Sequence, residues 1–138
     1  MKVYYFLLSI IGIFILVGCQ DMQDNRMVLL DEKIREINVS SSIGIGDMNE
    51  EILFSFKDEP SIKILENAIK TAVILPSSIQ GTTPDYDLMV IYDEDLPKHP
   101  IHLWLGEENE ESILIYMVGE SETYFTSAKT TNQLYQLI

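Results

Sequence analysis

An uncharged, largely apolar run, VYYFLLSIIGIFILV over residues 3–17, opens the chain, and further on apolar positions recur at strand and helix spacings. In EKIREINVSS, Ile37 and Val39 alternate with polar neighbours, which predicts a strand near residues 33–40. The turn residues of SSIGIGDMNEE follow. EILFSFKD, rich in strand formers, is expected to pair back as a hairpin over 51–56. Asp58 can cap a helix that carries Pro60 near its first turn. Ile62, Leu65, Ala68, Ile69 and Ala72 then repeat at helical spacing, while Lys63, Glu66, Asn67 and Lys70 fall mostly on the other side. This predicts an amphipathic helix over about 60–72, ended by the prolines and glycine of LPSSIQGTTP.

The second half alternates. In DYDLMVIYDE, Tyr86, Leu88, Val90 and Tyr92 share one face and Met89 and Ile91 the other, as a central strand requires. In IHLWLGE, Ile101, Leu103 and Leu105 oppose His102 and Trp104. Beyond the charged loop GEENEE, Ile113, Ile115 and Met117 oppose Leu114, Tyr116 and Val118. ETYFTS reads as a short last strand, and Ser127 caps a terminal helix that carries Leu134, Leu137 and Ile138. Short turns between successive strands imply antiparallel pairing. The expected fold is α+β: a sheet of five or six antiparallel strands with two helices on one face, in the order ββαββββα.

The opening run differs in kind. Lys2 is the one basic residue before it, and its 15 residues match the apolar region of an export signal better than the roughly 20 that span a bilayer. It ends in Leu16-Val17-Gly18-Cys19, which resembles the bacterial lipobox. That resemblance implies cleavage before Cys19 and a diacylglycerol thioether on its sulfur. Two acyl chains anchor where one holds only marginally. Cys19 is the only cysteine, so the lipid leaves no thiol for a disulfide or a nucleophile. The alternative is an uncleaved membrane helix with an incidental cysteine. The expected organisation is a signal over 1–18, the lipidated cysteine and a polar tether over 19–30, and one domain over 31–138; the alternative is that the first strand already begins near Met27 or Val28.

Charge narrows the partners. After Cys19 the chain carries 22 acids against 8 bases, which disfavours nucleic acid and leaves no cationic patch for lipid headgroups. The expected partners are therefore the membrane, through the lipid on Cys19, and an envelope protein. His99 and His102 lie three apart and point to opposite faces of an extended chain, so no zinc site and no cofactor is expected. They read as a turn histidine and a half-exposed strand histidine. The sequence around Asp47 lacks the glycine and glutamate of a calcium loop. The acids at 93–95 and 107–111 read as charged hairpin tips. No nucleophile elbow or phosphate loop is present, so no catalytic residue is expected. The leading expectation is a non-enzymatic binding module; the alternative is a metal-binding sensor or envelope hydrolase built on the acidic loops. For Trp104 two readings stand. It forms an exposed binding patch with Tyr116 and Tyr124, or it fills the core beneath a helix while the aliphatics face a second layer. We favour the second.

PDYDLMVIY, HLWLGEE and TYFTSAKTTNQL together resemble the small YhfM-like lipoproteins of Gram-positive bacteria. The resemblance covers roughly residues 34–138 and rests on Pro84, Tyr86, Leu103, Trp104, Leu105, Tyr124 and Ser127, residues of packing and capping type. It implies a single lipid-anchored domain on the outer face of the cytoplasmic membrane and carries no activity.

Overall fold

A computed structural model describes residues 25–77, 79, 81–119 and 122–138. Cys19, the apolar run and the first part of the tether lie outside the described residues. Seven strands and two helices follow in chain order: β1 (Ile34–Ser41), β2 (Ile52–Phe56), α1 (Glu59–Thr71), β3 (Val73–Ile74), β4 (Tyr86–Tyr92), β5 (His99–Trp104), β6 (Ser112–Tyr116), β7 (Tyr124–Thr126) and α2 (Ala128–Leu137). All strands pair antiparallel in one sheet of spatial order β2-β1-β4-β5-β6-β7-β3. The α+β class and the element order hold, and β4 is an interior strand between β1 and β5, as its two apolar faces require. The seventh strand is β3. Two residues carry no periodicity, and only their pairing with Phe125 and Tyr124 makes them a strand.

Register decides which residues share a face. Ile37 lies opposite Val90, Val39 opposite Leu88, Leu88 opposite Ile101, and Leu103 opposite Leu114. These aliphatics form one face and pack with Ile62, Leu65, Ala68 and Ile69 of α1 and Leu134 of α2. Both helices start on caps that the sequence predicts. The Asp58 carboxylate accepts from the Ser61 N–H at 3.0 Å, and the Ser127 hydroxyl from the Thr130 N–H at 3.3 Å. On the solvent side of α1, Glu59–Lys63 and Glu66–Lys70 pair at 2.6 and 2.8 Å in the favourable i,i+4 order.

The domain begins earlier than 31. Met27 and Leu29 are buried in the helix-side core, and Met27 N–H donates to the Ala72 carbonyl at 3.0 Å. Residues 25–30 therefore belong to the folded body and not to the tether. Met27, Leu29 and Leu30 turn toward the core, but the segment forms no regular element whose period would announce it. Among the described residues no helix is long and apolar enough to cross a membrane.

At the end of β5, Gly106 allows a close approach. A Cβ there would collide with the Glu111 carbonyl oxygen. Its N–H donates to Ser112 Oγ at 3.0 Å, and Ser112 Oγ in turn pairs with Thr131 Oγ1 of α2 at 2.8 Å. The acidic tip beyond it is tied to the same helix, for Asn109 N–H donates to Asn132 Oδ1 at 2.7 Å.

Candidate functional site

The face of the sheet away from the helices carries a row of a different kind. Ser40 lies opposite Asp87, Asp87 opposite His102, and His102 opposite Ile115, so their side chains stand side by side across four strands. Asp87 and His102 are almost wholly buried, at 0 and 1% exposure. No helix covers them; the β1–β2 connection, residues 42–51, does. Gly46 N–H donates to His102 Nε2 at 3.1 Å, and Asn49 N–H to Asp87 Oδ2 at 3.4 Å. His102 Nδ1 stands 2.7 Å from Asp87 Oδ1. Because Nε2 accepts from Gly46, the ring proton sits on Nδ1 and is donated to Asp87. Gly46 reaches this position in the left-handed region, at φ 93°, where glycine is favoured.

His102 is thus no half-exposed strand histidine. An Asp–His pair of this geometry is half of a proton-transfer relay. Here, however, the Nε2 lone pair already receives a backbone N–H, and the pair serves to pin a loop. His99 is not a turn residue either. It opens β5 on the helix side, half-buried, with Nδ1 2.7 Å from the Tyr92 hydroxyl. Burial holds its pKa below the ordinary 6.5. The two histidines lie on opposite faces, as their spacing requires. Among the described residues no three His, Cys, Asp or Glu side chains are grouped to hold a metal.

Trp104 is not core beneath a helix. It lies on the same open face, half-buried, opposite Ile113, with its ring centroid 6.0 Å from that of His102. The aliphatics Ile101 and Leu103 take the helix side instead. Trp104, His102 and Ile115 line a cleft of about 370 Å³, with Ile45 and Gly46 from the covering loop and Ile79 from the β3–β4 connection. The indole Nε1 is buried and meets no acceptor among the described residues. Such a donor forgoes a hydrogen bond that water supplies in the unfolded chain.

Tyr116 borders the Trp104 cleft, yet neither its ring nor that of Tyr124 lies on the Trp104 face. Tyr116 lies opposite Ile101 and Tyr124 opposite Leu114, which puts both on the helix side, with their rings 5.7 Å apart. Tyr116 Oη bonds both the N–H and the C=O of Val28. Burial raises its pKa. Burial first, then the Glu122 carboxylate, pushes Tyr124 up to about 12. Tyr116 and Tyr92, whose hydroxyl accepts from the Leu30 N–H at 3.2 Å, fasten residues 25–30 to the sheet.

A second groove, about 390 Å³, lies between β1 and the start of α1. Its Lys63 and Lys33 already pair with Glu59 and Asp93, so it presents mixed charge and favours neither sign of ligand. Sequence reading missed Asp87 as a site residue. The signal was there: DYDL and IHLW each set a titratable side chain inside an apolar strand, on the face opposite the aliphatics.

The sequence profile of the YhfM protein family matches residues 31–138. The chain belongs to the YhfM family. The match takes in every described strand and helix and starts four residues after buried Met27. No curated protein and no solved structure matches the chain. The residues that carry the likeness to YhfM proteins have structural positions: Pro84 and Leu103 are buried, Leu105 packs against the core and Ser127 caps α2.

Proposed function

We propose that this YhfM-family chain is a lipid-anchored, extracytoplasmic lipoprotein of the Gram-positive type, and that its domain is a binding module without catalytic activity. The anchoring half rests on Lys2, the apolar run and the Leu16-Val17-Gly18-Cys19 tetrad. Lipidation at Cys19 leaves residues 20–24 as the tether before Asn25, which keeps the body close to the outer face of the cytoplasmic membrane.

The observation that carries the binding half is the Trp104 cleft. A single indole borders a cavity of about 370 Å³ on a face covered only by loops. Aromatic side chains at partly open sites supply much contact area at little entropic cost. His102, which could do acid–base work elsewhere, has both ring nitrogens engaged, and that supports binding over catalysis.

Two measurements test the two halves. Mass spectrometry of the mature N-terminal peptide should find diacylglycerol on Cys19; an unmodified peptide that still contains Met1 overturns the anchor. The lone tryptophan is its own probe for the module. Titrating the full chain in detergent with fractionated envelope components should shift or quench its emission. Trp104→Phe, melting at the parent temperature, should weaken capture of the same component by at least tenfold. Equal capture by the two proteins removes the cleft from the reading.

A further inference from the structure

Exposed apolar side chains gather at one corner of the sheet. β6 ends at Tyr116, β7 starts at Tyr124 and β3 ends at Ile74, and strand pairing puts these three ends together. Around them Val28, Leu75 and Val118 keep 64, 42 and 75% of their surface. The links between them are short. The Tyr116 hydroxyl bonds the backbone of Val28, and Val118 lies two residues past Tyr116. Leu75 N–H donates to the Thr123 carbonyl, just before β7, at 3.2 Å. The other exposed aliphatics, Ile43 and Ile45 after β1 and Ile52 and Leu53 on β2, lie at the far end and the far edge of the sheet.

The incoming chain enters at this same corner. Ile74 N–H donates to the Asn25 carbonyl at 2.6 Å, and Arg26 bridges Val73. Residues 19–24 reach about 21 Å when fully extended. A lipid on Cys19 therefore keeps this corner within that distance of the bilayer. The edge strand β2 lies six strand spacings from β3, about 29 Å at ~4.8 Å each. A surface held so close by a short tether makes even a weak contact at high effective concentration.

We propose that this corner rests in the interface of the bilayer that carries the anchor, with Val28, Leu75 and Val118 at the boundary of headgroups and acyl chains. The inference rests on the anchoring half of the proposed function and fixes which side of the body meets the lipid. A chain of net charge −13 is repelled by anionic headgroups, so the contact is apolar, and interfacial binding of that kind scales with the apolar area buried. Of the described charged side chains at the corner, Arg26 is exposed, and Glu122 accepts from the Tyr124 hydroxyl at 3.2 Å. The acids at 93–95 join β4 to β5, at least three strand spacings from β3, so contact at the corner tilts them away from the headgroups.

Quenching by brominated lipid tests the proposal. The full chain is purified from membranes, its mass is measured, and it is reconstituted in phosphatidylcholine vesicles. With Trp104→Phe removing the native indole, a single tryptophan is placed by Val118→Trp or Val28→Trp at the corner, or by Leu53→Trp at the far edge. Two exposed reporters at the corner guard against one that disturbs the fold, which a melt checks. Phosphatidylcholine brominated on its acyl chains should quench the corner reporters roughly threefold or more above Leu53→Trp. Leu75→Glu added to Val118→Trp should reduce that quenching. A lipidated chain that floats with the vesicles, yet is quenched no more at the corner than at residue 53, overturns the proposal and leaves the anchor standing. A blue-shifted but unquenched reporter at 118 means that protein covers the corner, and it overturns the proposal too, as does quenching indifferent to Leu75→Glu. A mass without lipid on Cys19 overturns the anchor and this contact together.

Discussion

The two faces of the sheet solve the same problem with different chemistry. The helix side excludes water with aliphatic side chains from β1, β4, β5, β6 and both helices, where contacts are numerous and undirected. The loop side excludes it over Asp87 and His102 with one irregular segment, held there by two backbone hydrogen bonds and one side-chain pair. A face of the first kind tolerates modest changes of shape. A face of the second kind depends on each partner being present, because a buried polar group without one is costlier than an apolar group in its place. The cleft at Trp104 lies on the second face, bordered by Ile45 and Gly46 of that segment.

Truncation should separate the faces most sharply. Leu88→Ala, wholly buried between β1 and β5, should destabilise by about 2–5 kcal/mol in denaturant titration, through lost transfer energy and a residual cavity. Asp87→Ala should cost less, about 1–3 kcal/mol, by stranding the His102 Nδ1–H and the Asn49 N–H. Its distinguishing mark is local. Amide exchange at Gly46 and Asn49 should accelerate while α1 amides stay protected. The double variant Asp87→Leu with His102→Leu should lose less stability than the two single changes added together; strict additivity would mean that the pair does not hold the loop.

Acid probes the helix side through His99. Its folded-state pKa lies below 6.5 because burial opposes the charged ring. The unfolded chain therefore binds more protons as pH falls, so stability is full above about 6.5 and declines as pH drops from there through the lowered folded value. His99→Gln should flatten that part of a melting-temperature profile, and an unchanged slope would assign it to other groups. The smallest expected change is Trp104→Phe, under about 1 kcal/mol. Among the described residues the indole N–H has no hydrogen-bond acceptor, and the ring is half-exposed. A large loss there would make Trp104 a packing residue and close the cleft as a binding site.

Much of the fold was legible because it depends on local rules. The caps at Asp58 and Ser127, the α1 stripe at Ile62, Leu65, Ala68 and Ile69, and the two faces of β4 all follow from spacing and residue type. β3 escaped because two residues have no period, and Met27 and Leu29 escaped because the short stretch that carries them forms no regular element. The site was less legible for a related reason. Alternation put Trp104 opposite Ile101 and Leu103, but not which of those faces the helices would cover. It likewise grouped Tyr116 with Trp104, whereas register puts Tyr116 beside Ile101 on the other side.

By itself, then, the order of residues determined the element types, the capped helix starts, the antiparallel class and the placement of two histidines on opposite faces. Those are properties of a few neighbours along the chain. Tertiary structure alone decided that Asp87, 15 positions before His102, becomes its partner. It also decided that Gly46 closes over them both, that Trp104 faces a cleft and that the incoming chain seals only one edge of the sheet. Each of these depends on strand register and on the path of a connecting loop. Both are set by the sum of distant contacts, and no local pattern encodes them.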